Sequence, residues 1–182
     1  MSKTALSWLL LVAGVGLLGS ARANAANADP CSNLPPAVSA YLGAKPQWVL
    51  VRVTNLNADD RKLWKDAHGA KCPGLAIADF EGRGRLSYGL ALLRHDRRGD
   101  EEKFVILHQR AKGISIMVVF PPYRPGNPDV VWRAPPGRTQ AWDDDTKTIL
   151  VPHDSVIFET LEAAAQQFYF KNDHLLKIQT SD

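Results

Sequence analysis

Five histidines, two cysteines and scattered acidic residues are the groups with which this chain could do chemistry. His68, His95, His108, His153 and His174 stand in different segments, and none forms a His-x-x-x-His pair of metal-ligand spacing. Each is expected at a surface or on an edge strand. His153-Asp154-Ser155 contains the residue types of a hydrolytic triad, but neighbours in a strand point to opposite faces. A triad needs convergence around one oriented imidazole. Neither Gly-x-Ser-x-Gly nor His-Glu-x-x-His occurs. Glu159 and Glu162, close to Asp154, have the residue types for glycoside hydrolysis by paired carboxylates. Asp143-Asp144-Asp145 are consecutive acids, which do not face one point and read as a solvated turn. No catalytic set, metal site or cofactor is expected.

The thiols carry different information. Met1–Lys3 is a short positive start and Trp8–Leu18 is an uncharged apolar run. Ala21-Arg22-Ala23 and Ala23-Asn24-Ala25 then offer small-x-small cleavage sites. Residues 1–25 read as an export signal too short to span a bilayer in the mature chain. Residues 26–182 then form a single domain, periplasmic or secreted. There Cys31 and Cys72 are expected to pair as one disulfide. The bridge would contribute about 4 kcal/mol in the chain-entropy model. A metal site using His68, Cys72 and Cys31 lacks a fourth ligand. Asp29-Pro30 before Cys31 is not the small-residue box that lipid attachment requires. Loss of Lys3 and Arg22 with the signal lowers the formal charge from +3 to about +1. So balanced a charge argues against nucleic acid and against anionic membrane as partners.

The elements that must position these groups follow from periodicity. Pro36–Leu42 reads as a short helix stopped by Gly43. Asn57 caps a second helix with Asp59 and Asp60 in its first turn and Gly69 at its end. Trp48–Thr54 alternates as a strand. From Leu75 the period becomes that of strands: 75–80, 87–94, 104–109 and 114–120, then weaker runs at 130–132 and 148–151, and finally 156–159, 164–170 and 175–180. Pro121–Pro136 carries six prolines and reads as an irregular surface loop. The expected class is α+β, with short N-terminal helices packed on a mostly antiparallel, strongly twisted β-sheet.

Asp79-Phe80-Glu81-Gly82-Arg83-Gly84-Arg85-Leu86-Ser87-Tyr88, between two apolar runs, resembles the hairpin of the FG-GAP/VCBS-type repeat. The wider layout is similar to that of small exported bacterial proteins. The family resemblance implies an acidic turn whose alternate carboxylates often bind calcium. Here Arg83 stands at the third acidic position. A guanidinium between the carboxylates of Asp79 and Glu81 can take the place of the ion. These three residues are therefore expected to form a metal-free structural turn. One such turn does not make a propeller.

With no catalytic set in view, the expected role is binding: recognition or inhibition of a cell-envelope macromolecule, in an inhibitor- or immunity-like manner. Tyr123, Arg124, Trp132 and Arg133, in and beside the proline-rich segment, are the expected contact residues, because aromatic and Arg anchors dominate protein interfaces. The alternative is a cell-wall glycan hydrolase using Glu159 and Glu162.

Overall fold

The computed structural model describes residues 29–144 and 146–181; the signal expected at 1–25 lies outside them. Among the described residues are two α-helices, α1 (Pro36–Gly43) and α2 (Ala58–His68), and eleven strands. These are β1 (Val49–Leu50), β2 (Leu75–Ala78), β3 (Ser87–Asp96), β4 (Gly99–Arg110), β5 (Gly113–Tyr123) and β6 (Val130–Ala134), then β7 (Gly137–Gln140), β8 (Thr148–Val151), β9 (Ser155–Glu159), β10 (Ala165–Lys171) and β11 (His174–Ser181). The first sheet runs β1-β3-β4-β5, with β2 also paired to β3. The second runs β11-β10-β9-β6, and β7–β8 is a separate hairpin. All pairings are antiparallel.

The α+β expectation is overturned: the molecule is β-rich and packs sheet on sheet. The reason lies in β3 and β4, whose central residues are buried on both faces. The inner face carries Ala91, Leu93, Phe104 and Ile106. These meet Val130, Val131, Val156, Phe158, Phe168 and Phe170 of the second sheet. Phe104 stacks on Phe158 at 4.7 Å between ring centres. The outer face carries Leu90, Leu92, Val105 and Leu107. The N-terminal segment covers these with Val38, Trp48, Leu50 and the Cys31–Cys72 disulfide. The helices contribute few buried residues: Val38 from α1, Asp60 and Trp64 from α2. They form no layer.

The expected strand at 48–54 shortens to β1 for a related reason. Val51 N–H donates to Ala91 O at 3.0 Å, and Ala91 N–H donates to Gly74 O at 3.1 Å. Thus β1 and β2 lie end to end along the same edge of β3. A Cβ on Gly74 would stand 2.5 Å from Val51 N, so this junction requires glycine. The expected irregular loop at 121–136 is corrected too. It contains the end of β5 and all of β6, with β7 beginning just beyond it.

Candidate functional site

Residues 102, 104, 106 and 108 share the inner face of β4, because strand side chains alternate with a period of two. Phe104 and Ile106 fill the aromatic core. Glu102 and His108, both wholly buried, stand at its two ends. The expectation of surface or edge placement fails for His108. It lies between Phe170, 4.1 Å away, and Phe80, with Nε2 3.2 Å from Glu81 Oε1. Burial lowers its pKa below the usual imidazole value despite the Glu81 charge.

At the Glu102 end, two extra residues in β5 bring Tyr123 opposite Glu102 while Val118 stays opposite Val105. One shift falls at Val119 and the other at Pro121 and Pro122, which can donate nothing to the ladder. Asp129 N–H donates to Glu102 Oε2 at 3.0 Å. The Asp129 carboxylate accepts hydroxyl bonds from Tyr123 and Thr160. Burial, then the Asp129 charge, pushes the Glu102 carboxyl up to about 9. Burial also raises Asp129, and the two hydroxyl donors offset part of that. At neutral pH Glu102 therefore holds its proton, while the Asp129 carboxyl oxygens accept the two hydroxyls. A cleft of about 280 Å³ opens beside this cluster, walled by Phe120, Phe158, Tyr123, Thr160 and Gln166.

No protein-family model matches this chain, and comparisons with curated proteins and with solved structures find no significant match.

The four expected contact residues do not form one patch. Tyr123 is turned into the Asp129 cluster. Arg124 lies 3.5 Å from Glu101 and 3.8 Å from Asp96. Trp132 Nε1–H donates to Glu159 Oε2 at 2.8 Å, and its ring packs on His68. Arg133 makes two 2.8 Å contacts to Asp154. Trp132 and Arg133 are consecutive in β6 and point to opposite faces. As for the expected carboxylate pair, Glu159 spends Oε2 on Trp132, and Glu162 stands in a turn at φ 60°.

The turn at Asp79 works by another device than the one expected. The Asp79 carboxylate accepts amides from Glu81 (3.3 Å), Arg83 (3.2 Å) and Gly84 (2.5 Å). Burial pushes its pKa up, but these amides, with that of Gly82, outweigh burial and hold it below the ordinary value. Arg83 does not lie between the two acids. It is exposed and reaches only Glu81, at 3.5 Å. Arg85 is the guanidinium that binds Glu81 closely. Among the described residues no cluster of three His, Cys, Asp or Glu groups is arranged to hold a metal ion. No described helix is long and apolar enough to cross a membrane.

A further exposed surface lies at the sheet's edge. β5 is an edge strand and carries no charge across its eleven residues. Its outer side chains Ile114, Ile116 and Val118 are 43%, 57% and 56% exposed. The alternation was visible; what periodicity does not tell is which strand ends at an edge.

Proposed function

We propose that this protein is an exported binding protein that engages a protein of the cell envelope, in an inhibitor- or immunity-like role, through the free edge of β5. The observation that carries the reading is that edge. Natural sheets blunt edges with Lys, Pro or cover. Pro121, Pro122 and the bulge blunt only the far end of β5, and before them three exposed branched aliphatic side chains alternate along an uncharged strand. An extended partner segment adding one antiparallel strand would satisfy the open backbone groups and cover Ile114, Ile116 and Val118. The disulfide, buried on the same outer face, fixes the sheet that presents the edge.

The test is capture from envelope extract followed by hydrogen exchange of the complex. The expected result is slowed exchange in the β5 amides, with capture lost for Ile116→Lys and retained for Trp132→Ala. Protection elsewhere, or capture indifferent to Ile116→Lys, overturns the reading. So does a dimer in solution that buries the same edge, because the occupant is then a second copy.

A further inference from the structure

The cleft beside Asp129 has a chemistry separate from the β5 edge. Tyr123 and Thr160 each commit their hydroxyl proton to Asp129. What those oxygens retain is lone pairs. Gln166, a third wall residue, has a buried Oε1 with no hydrogen-bond partner among the described residues. Phe120 and Phe158, their centres 5.2 Å apart, supply aromatic surface. Of the flanking basic side chains, Arg124 is drawn toward Asp96 and Glu101 and Arg133 is paired with Asp154. Glu102 behind Asp129 is wholly buried, with Oε1 likewise unpartnered. A group that suits this cleft brings donors rather than acceptors, a positive charge, and an apolar stem to lie on the rings.

We propose that the Tyr123–Asp129–Thr160–Gln166 cleft is a binding site for a primary ammonium carried on a short alkyl stem. Its three N–H donors match the unspent oxygens, and its stem lies against Phe120 and Phe158. At about 280 Å³ the cleft is just smaller than the usual small-molecule site of roughly 300 Å³ and more, which suits a short alkyl amine. The same chemistry comes from two sources, a free alkylamine or the lysine side chain of a protein. This inference does not rest on the β5 reading.

The experiment is an amide NMR titration of the purified protein with n-butylammonium and with Nα-acetyl-lysine methylamide. n-Pentanol and pentanoate serve as neutral and anionic controls of similar length. Saturable shifts at Thr160 and Gln166 are expected with the ammonium probes. Binding of n-pentanol should be weaker by roughly tenfold or more, because a charge-assisted bond contributes more than a neutral one. Asp129→Asn should lose at least about tenfold, and Gln166→Met a few-fold. If Asp129→Asn does not fold, Gln166→Met decides, since its oxygen bonds nothing within the described protein. Ile116→Lys should bind the amine as wild type does, so failure of the β5 reading leaves this result untouched. Tighter binding of the blocked lysine assigns the site to a protein side chain, and tighter binding of butylammonium to a free amine. Equal binding of n-pentanol, no saturable shift with either ammonium, or a Gln166→Met variant that binds as wild type overturns the proposal.

Discussion

The two ends of β4 solve the same problem in opposite ways. Each buries a titratable side chain beside an acidic residue: Glu102 faces Asp129, and His108 faces Glu81. At the His108 end the charge is held near water. Glu81 is braced by Arg85, and Asp79 by backbone amides of its own turn. These contacts outweigh burial, so both carboxyls titrate below their ordinary values. At the Glu102 end no cation enters. Two carboxyls stand close together in a largely buried space, and burial raises both pKa values. A carboxyl surrounded by fixed N–H dipoles gains from ionising, whereas a buried one opposed by a second carboxylate keeps its proton.

The largest break in this comparison comes from deleting each carboxylate. Asp129→Ala leaves the part-buried hydroxyls of Tyr123 and Thr160 without their acceptor. At about 1–3 kcal/mol per unsatisfied group, the loss should be about 3 kcal/mol. Asp79→Ala frees amides that lie in a partly exposed turn, where water can replace the carboxylate, so about 1–2 kcal/mol is expected. Urea denaturation of both variants checks the order. An Asp79→Ala variant less stable than Asp129→Ala would reverse it.

Next in size is the response to pH. Glu102 has a folded pKa of about 9, far above an ordinary glutamate. Its contribution is intact below the unfolded value and is lost as pH rises toward 9. The other end behaves in reverse. Asp79 and Glu81 are depressed, and the stability they add disappears as pH falls through their folded values. His108, kept neutral by burial, adds to the acid-side loss, because the unfolded imidazole takes up a proton first. Melting temperature against pH should fall on both flanks. Glu102→Gln should flatten only the alkaline flank, and Asp79→Asn should soften only the acid one. A Glu102→Gln profile that still falls between pH 7 and 9 as wild type does would remove the account of a protonated Glu102.

The contrast also explains what could be read from the chain. The Asp79 turn is local: its carboxylate bonds residues two to five positions away, so composition and spacing were enough to mark it as a structural unit. The disulfide followed from the expected export of an even cysteine pair, and nearly every strand from period. The second site is built from β4, β5, the proline-rich segment and the β9–β10 turn, with Asp129 bonding partners 27 and 31 positions away. No local pattern holds that. One clue was available: Glu102 shares the inner face with Phe104 and Ile106 by simple alternation, and an acid on an apolar stripe signals a buried site. The α+β expectation failed because period finds elements without saying what covers them. Strands apolar on both faces need two covers, and here one is a second sheet.

The smallest expected effect isolates which guanidinium braces the turn. Arg83 was the residue singled out by its place in the acidic motif, yet it is exposed and stands 3.5 Å from Glu81. Exposed pairs of that geometry contribute little, so Arg83→Ala should change stability by no more than about 0.5 kcal/mol. Arg85 is half-sheltered and holds the same carboxylate closely, so Arg85→Ala should cost more, about 1 kcal/mol. The same geometry predicts the answer to calcium. A ligand raises the melting temperature only if it binds the native state, and the Asp79 oxygens already accept three amides. Millimolar calcium should therefore leave the wild-type melting curve in place. A rise that disappears in Asp79→Ala would mean that the ion displaces those amides, and the turn would then be a cation site after all.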